Sequence, residues 1–100
     1  MQSKRKRVQA AAKVKVRLFH ELRAILGQSE MELEADTLND VVNSLISKDQ
    51  SVRSIFFDAN GRVRSYTMVY INNASQNPPE LARKLNDGDL ILLVPTAAGG

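Results

Sequence analysis

Residues 86–100 read NDGDLILLVPTAAGG, and they contain the most informative pattern of the chain. Asp87 and Gly88 favour a tight turn, and the run LILLV that follows them is apolar at every position. A strand with apolar residues on both faces is favoured at the centre of a sheet, where both of its faces are covered. We therefore predict a central strand that leads directly into an uncharged end, PTAAGG.

The composition is that of one globular domain with a basic start. The chain has 100 residues, 43% of them apolar and 25% charged, which suffices for one modest core. The formal charge of +3 originates in the first 13 residues, because from Val14 onward nine Lys or Arg face eleven Asp or Glu. We predict a disordered basic tail over 1–13, a folded domain over 14–95 and a flexible, reactive tail over 96–100.

The chain contains no cysteine and a single histidine, His20. The lack of cysteine excludes disulfides, cysteine zinc sites and a thiol nucleophile. Because His20 has no neighbouring nucleophile or second ligand, a loop or capping role is favoured over catalysis or metal binding. The apolar runs are too short to span a bilayer, and no signal-peptide core follows the basic start. The sequence indicates a cytoplasmic protein without a metal site.

Hydrophobic periodicity predicts two strands and a short helix in the first third of the domain. VKVRLF at 14–19 alternates, and HELRAILG at 20–27 has helical spacing that stops at Gly27. SEMELEA at 29–35 alternates strictly, with Glu30, Glu32 and Glu34 on its outer face. That acidic stripe is either a solvated face or a surface that steers a basic partner.

The clearest helix is TLNDVVNSLISK at 37–48, whose apolar residues recur at i, i+3, i+4, i+7 and i+8. VRSIFF at 52–57 is either a helical turn or an irregular segment, and YTMVYI at 66–71 is a third strand. NNASQNPP at 72–79 has the composition of a loop. This order predicts an α+β fold in which a mixed sheet, with its first two strands paired as a hairpin, packs on one main helix.

These motifs resemble the ubiquitin-like β-grasp family. The order VKVRLFHELRAILG, a strand, TLNDVVNSLI and NDGDLILLVPTAAGG is similar to that of MoaD-type sulfur carriers and of archaeal small modifiers, over about residues 14–100. The most specific part is the strand GDLILLVP joined to a Gly-Gly end by a short stalk. Phe19, Leu22 and Arg23 also resemble the family, although core packing explains the same spacing.

The resemblance implies a protein that is the substrate of an enzyme and not itself an enzyme. An ATP-dependent, ubiquitin-activating-like enzyme would adenylate the Gly100 carboxylate, since a free carboxylate is a poor acyl donor. The product is a thiocarboxylate, for molybdopterin synthesis or tRNA thiolation, or an isopeptide bond to a lysine of a target protein. The molybdopterin synthase large subunit is a further implied partner. ATP would be consumed by the enzyme, no cofactor would be bound by the carrier, and no protease would be required to expose the Gly-Gly end of the sequence as written.

The residues of the tail suit that chemistry. Gly99 and Gly100 make the backbone thin and conformationally permissive, and a six-residue tail reaches roughly 20 Å. Pro95 stiffens the root of the tail. Because there is no cysteine, any carried sulfur must be on Gly100. The residues expected to enter a partner's active site are Pro95, Thr96, Ala97, Ala98 and Gly99.

The family pattern places Ile91 and Leu93 inward, so the opposite face of the last strand is open. That face would carry an apolar partner-docking patch. The alternative is that the loop over 72–86 covers this face. The predicted patch consists of Leu92, Val94, Met68 and Tyr70.

Two other functions stay open. The basic run KRKR at 4–7 is compatible with weak, salt-sensitive nucleic-acid binding, although a solvated tail is favoured because no aromatic residues are interleaved. A scaffold that only docks partners through Leu92 and Val94 would not need the Gly-Gly end. Lysines that an isopeptide from another copy would reach are those of the tail and Lys15, Lys48 and Lys84.

Overall fold

The computed structural model describes residues 11–64, 67–76 and 79–96. No helix within these ranges is long and apolar enough to cross a bilayer. A short 3-10 turn, Gln50–Val52, precedes the third helix. The elements follow the chain as β1 (Ala12–Leu18), α1 (Glu21–Leu26), β2 (Glu30–Ala35), α2 (Leu38–Lys48), α3 (Arg53–Phe56), β3 (Thr67–Ile71), β4 (Ala74–Ser75) and β5 (Leu90–Pro95).

The strands form one mixed sheet in the order β2-β1-β5-β3-β4. β1 and β5 are parallel, and the other neighbours are antiparallel. The predicted α+β β-grasp architecture is confirmed, including the hairpin-like pairing of β1 with β2 and the central place of β5. Ile91 and Leu93 of β5 are fully buried against the helical layer, so the inward facing predicted for these two residues is correct.

The main helix α2 covers the inner face of the sheet, as its periodicity predicts. Thr37 and Asp40 form a capping box, in which the Asp40 N–H donates to Thr37 Oγ1 over 3.3 Å and the Thr37 N–H donates to Asp40 Oδ2 over 3.1 Å. This exchange satisfies two donors that a helix start otherwise leaves without partners. The buried face of α2 consists of Leu38, Val41, Val42, Leu45 and Ile46.

The first strand begins two residues before the predicted start of the domain at Val14. β1 begins at Ala12, which is buried opposite Ala35 of β2. The Lys13 N–H donates to Asp87 Oδ1 over 2.8 Å, and the Gly88 N–H donates to the Lys13 carbonyl over 2.9 Å. The turn before β5 therefore fixes the start of β1. Residues 1–10, which hold the rest of the predicted basic tail, lie outside the described residues.

Two segments without clear periodicity also take on defined structure. The segment 72–79, predicted as a loop, contains a tight turn at Asn72 and Asn73, both with positive φ, and the edge strand β4 that pairs with β3. Of the two alternatives for 52–57, the helical turn is correct, because α3 buries Ile55 and Phe56 in the core. A two-residue strand is too short to produce a period in the sequence.

Asn72 ties the turn after β3 to the start of β5. Its N–H donates to the Leu90 carbonyl over 2.8 Å, and its Oδ1 accepts from the Leu90 N–H over 2.9 Å. Its Nδ2 donates to Oδ1 of buried Asp89 over 2.8 Å. We expect Asn72→Ala to lower the free energy of unfolding by about 1–3 kcal/mol, because the Asp89 carboxylate and the Leu90 N–H lose a partner.

Urea unfolding of the purified chain measures this loss. Asn72→Gly is the matched control, since glycine adopts the φ of 52° without strain but lacks the amide group. We expect Asn72→Gly to retain most of the loss. A glycine variant as stable as the natural chain would show that backbone strain, and not the side-chain hydrogen bonds, accounts for the effect.

Candidate functional site

The face of the sheet opposite α2, called the open face here, carries parallel rows of side chains. Antiparallel pairing sets Lys13 opposite Glu34, and parallel pairing sets Arg17 beside Leu92. Because side chains alternate across a strand, paired residues of neighbouring strands share a face. The acidic row on β2 is Glu30, Glu32 and Glu34; the basic row on β1 is Lys13, Lys15 and Arg17; the apolar ladder on β5 and β3 is Leu90, Leu92, Val94, Met68 and Tyr70.

The apolar ladder contains all four members of the predicted docking patch. Met68 pairs with Val94 and Tyr70 pairs with Leu92, so the four side chains are neighbours on the open face. Each of them is half-buried. Leu90 extends the row by one position; the patch prediction omitted it, although it shares the parity of Leu92. A docking role for this ladder stays a prediction.

The described part of the segment 72–86 does not lie over the ladder. The Leu38 N–H donates to the Arg83 carbonyl over 3.0 Å, and the Leu85 N–H donates to the Asp36 carbonyl over 3.0 Å. Leu85 is buried in the core. This stretch therefore runs along the start of α2, in the helical layer. The alternative in which the loop covers the open face is wrong for the residues that the structure describes.

The charged rows interact at one end of the open face. Glu30 accepts from Arg17 Nε over 3.1 Å and lies 3.4 Å from Lys15 Nζ. The hydrogen bond from Arg17 lowers the pKa of Glu30 below its ordinary value; desolvation opposes this shift, and Lys15 adds to it. Within the described ranges, Glu32 and Glu34 have no ion-pair partner. Only part of the acidic row is therefore neutralised by the basic row.

Arg17→Gln should raise the pKa of Glu30 toward its ordinary value, because the strongest stabiliser of the carboxylate is lost. Since the folded-state pKa is depressed, this contribution to stability is present above the unfolded-state pKa and is lost as the pH falls through the folded-state pKa. Carbon-detected NMR titration of the Glu30 carboxyl group measures the shift. Lys13→Gln is the control, since Lys13 pairs with Glu34 and not Glu30. An unchanged Glu30 pKa in Arg17→Gln would contradict the assignment.

The tail leaves the domain from the end of the central strand. Pro95 is the last residue of β5, lies opposite Thr67 and has a fully buried side chain. The Thr67 hydroxyl donates to the Ile55 carbonyl over 2.7 Å, which ties this end of β3 to α3. The entry of Pro95 into a partner's active site stays a prediction; in this structure the sheet holds Pro95. The chain that extends past the sheet begins at exposed Thr96.

The remaining predicted tail residues lie outside the described residues. They are Ala97, Ala98, Gly99 and the reactive Gly100, so their roles stay predictions. Because β5 is the central strand, the chain that leads to them starts from the middle of one end of the sheet. The parallel pairing of β1 with β5 could not be deduced from periodicity. This pairing places β5, and therefore the start of the tail, in the middle of the sheet.

The minor predicted residues are spread over the surface. His20 is exposed at the start of α1 with a φ of 54° and makes no side-chain capping bond. Lys15 pairs with Glu30, Lys84 lies 3.6 Å from Asp36, and Lys48 is in the last turn of α2. In the described ranges, no group of three or more His, Asp or Glu side chains is arranged to hold a metal ion.

Comparisons with known proteins agree with this geometry. A model of the ThiS family matches residues 16–100. The solution structure of small archaeal modifier protein 1 from Methanosarcina acetivorans has 28% identity and a TM-score of 0.78, over 90% of this chain and 98% of that one. No curated protein sequence matches significantly.

Two further solved structures share the fold. CysO from Mycobacterium tuberculosis has 24% identity and a TM-score of 0.72, over 84% of this chain and 99% of that one. A putative molybdopterin converting factor, subunit 1, from Pyrococcus furiosus has 19% identity and a TM-score of 0.65, over 86% and 99% of the two chains. At these identities the likeness concerns the architecture alone.

Proposed function

The chain belongs to the ThiS family, and we propose that it is a carrier activated at the carboxylate of Gly100. The family consists of ubiquitin-fold sulfur carriers and modifiers, which are not enzymes. The proposal rests mainly on the path of β5. This central strand ends at buried Pro95 and is followed at once by the short uncharged sequence TAAGG. The family model includes this sequence, because it matches through residue 100.

The proposed chemistry starts with ATP bound to a separate, ubiquitin-activating-like enzyme. A carboxylate oxygen of Gly100 attacks the α-phosphorus of ATP, and pyrophosphate leaves. In the resulting acyl adenylate, AMP is a good leaving group, so the carbonyl carbon becomes open to nucleophiles. Hydrosulfide displaces AMP to give a thiocarboxylate. Alternatively, an enzyme thiol displaces AMP to give a thioester, from which a lysine amine takes the acyl group and releases the thiol.

The folded domain positions the Gly-Gly end in the active site of the activating enzyme. The apolar ladder is proposed to dock on the activating enzyme, since an apolar patch of neighbouring side chains is suited to a protein interface. The chain from Thr96 to Gly100 then enters the enzyme's channel, and five residues reach roughly 17 Å. Small side chains at Ala97 and Ala98 keep this segment thin. No resident cofactor or metal is needed on the carrier, and ATP stays with the enzyme.

Sulfur transfer and protein modification both follow from the same adenylate. The name of the Methanosarcina acetivorans relative supports the modifier branch. The name of the Pyrococcus furiosus structure supports the sulfur branch and, with it, a molybdopterin synthase large subunit as partner. For either branch we propose a cytoplasmic location, where ATP is available and where a chain without cysteine needs no oxidising compartment.

Mass spectrometry of the protein from its own cells, under non-reducing conditions, tests the proposal. A free chain in which one oxygen of Gly100 is replaced by sulfur would establish the carrier. Gly-Gly remnants of this tail on lysines of other proteins, or on Lys15, Lys48 or Lys84 of a second copy, would establish the modifier. An unmodified carboxylate in every fraction would overturn activation at Gly100.

A further inference from the structure

The strand β2 forms one edge of the sheet, so only one of its two sides is paired with another strand. The Leu18 N–H donates to the Ser29 carbonyl over 2.9 Å, which makes these residues a hydrogen-bonded pair that continues the ladder of β1 with β2. Such pairs recur at every second residue of an antiparallel ladder, so Met31 and Leu33 direct their backbone groups to β1. The residues of β2 that direct their backbone groups away from the sheet are Glu30, Glu32 and Glu34.

The hydrogen bonds of β1 on its other side agree with this assignment. The Lys15 N–H donates to the Asp89 carbonyl over 3.0 Å, and the Lys13 carbonyl accepts from the Gly88 N–H over 2.9 Å. Both lysines therefore use their backbone groups toward β5, and the glutamates opposite them face the free edge. Among the described residues, the outward backbone groups of these glutamates have no hydrogen-bond partner. An edge with such groups is suited to pairing with one more strand.

The side chains along this edge select the composition of an added strand. Residues opposite each other on neighbouring strands share a face of the sheet, so those opposite the glutamates would lie on the open face. Glu32 and Glu34 have no ion-pair partner within the described ranges, and opposite charges on paired strands attract. On the inner face, Met31 and Leu33 pack against the core but are only half-buried. The free edge therefore favours a strand in which basic residues alternate with apolar ones.

The strand β1 shows that a strand of this composition fits β2. Its sequence KVKVRL at 13–18 places Lys13, Lys15 and Arg17 opposite glutamates of β2 on the open face. The apolar residues between them are buried in the core. β1 occupies one side of β2 in this way, and the other side presents the same row of glutamates.

We propose that the free edge of β2 binds an extended segment of a partner protein in which lysine or arginine alternates with apolar residues, added as a further strand of the sheet. A second copy of this chain is not suited, because pairing of two β2 edges sets glutamates beside glutamates. The chain's own run KRKR at 4–7 is not suited either, since a charge at every position would place lysine or arginine beside Met31 and Leu33. The apolar ladder lies on β5 and β3, so a partner at this edge does not need it.

An NMR titration of the ¹⁵N-labelled full chain with the peptide Ac-KVKVK-NH₂ tests the proposal. The three lysines of the peptide match the glutamates of β2, and its two valines match Met31 and Leu33. We expect saturable binding that weakens as salt is added. Amide hydrogen exchange at Glu32 and Glu34 should become about tenfold slower when nine-tenths of the chain is bound, because only the free chain then exposes these N–H groups. The Met31 and Leu33 amides, already paired with β1, should change much less.

The combined variant Glu32→Gln and Glu34→Gln should weaken binding by about three- to tenfold, as for the loss of two exposed ion pairs. The matched control is Glu21→Gln, which removes an exposed carboxylate from the first turn of α1 and should leave binding unchanged. A peptide with N-methylated lysines keeps the charges but lacks the N–H groups that pair with the glutamate carbonyls. We expect this peptide to give no protection from exchange at Glu32 and Glu34.

Four results would overturn the proposal. The first is equal binding of the charge-reversed peptide Ac-EVEVE-NH₂, and the second is equal binding of the N-methylated peptide. The third is protection of Glu32 and Glu34 that rises with the concentration of the chain without peptide, which would assign the edge to a second copy. The fourth is peptide binding seen only after residues 4–7 are replaced with glutamine, which would assign the edge to the chain's own basic run. None of these results depends on the state of Gly100, so the proposed carrier function is tested separately.

Discussion

Removal of Gly99 and Gly100 is expected to abolish adenylation while leaving the domain folded. The shortened chain ends at Ala98, and its carboxylate falls short of the α-phosphorus by roughly 7 Å, the length of two extended residues. Since a misplacement of about 1 Å already costs on the order of a hundredfold in rate, no measurable adenylate should form. ATP–pyrophosphate exchange with the activating enzyme that copurifies with the full chain measures this loss.

The same truncation should leave the free energy of unfolding within about 0.5 kcal/mol of that of the full chain, as for changes away from packed or bonded sites. β5 ends at Pro95, four residues before Gly99, and the buried core lies within the domain. Urea unfolding checks this point. The control variant replaces Gly99 and Gly100 with alanine, which keeps the length of the tail but not its thinness.

The two variants separate the two requirements of the reaction. If the alanine variant is adenylated and the truncation is not, reach is the decisive property; if neither is adenylated, thinness is required as well. Full exchange activity in the truncated chain would contradict activation at Gly100. The scaffold function through Leu92 and Val94 would then be the better explanation, since it does not use the Gly-Gly end.

The spacing of apolar residues was sufficient to predict those helices and strands in which it continues over several turns or residues. The spacing in α2 identified its buried face, and the run LILLV identified β5 as a central strand. The strict alternation of β2 predicted its acidic outer face. In each case one side of the element is buried in the core, and the positions of its apolar residues show that burial directly.

Features that depend on distant partners could not be predicted in this way. Ala12 joins β1 because the turn at Asp87 and Gly88 binds the neighbouring Lys13, 74 residues away from Asp87. Pro95 is predicted as the stiff root of the tail, whereas the structure places it as the last residue of β5, with a buried side chain opposite Thr67. The predicted ladder residues share a face, but the basic row beside them follows only from the parallel pairing of β1 with β5.

Leu93→Ala is expected to have the largest effect on stability. Leu93 is fully buried at the centre of the sheet, between Leu18 of β1 and Val69 of β3. Truncation of such a leucine removes buried apolar surface and leaves a cavity, at a cost of about 2–5 kcal/mol. Because domains of this size have about 5–15 kcal/mol in total, the variant should unfold at a clearly lower urea concentration. Urea unfolding followed by circular dichroism measures the change.

Leu92→Ala is the matched control, one residue away on the same strand but on the open face. We expect it to cost at most about 1 kcal/mol of stability, because Leu92 is half-buried in the folded chain. It should instead raise the KM of the activating enzyme for the carrier by roughly fivefold or more, as for loss of an interface contact worth about 1 kcal/mol. The kcat of adenylation should change little, since the tail is intact.

These two leucines therefore separate the core from the docking surface. Equal destabilisation by Leu92→Ala and Leu93→Ala would mean that the apolar ladder is covered in the folded chain and is not free to dock. An unchanged KM for Leu92→Ala would move the docking site away from the open face, while leaving the chemistry at Gly100 unaffected. A raised KM for Leu92→Ala, together with lost turnover in the Gly-Gly truncation, would assign recognition to the sheet and reactivity to the tail.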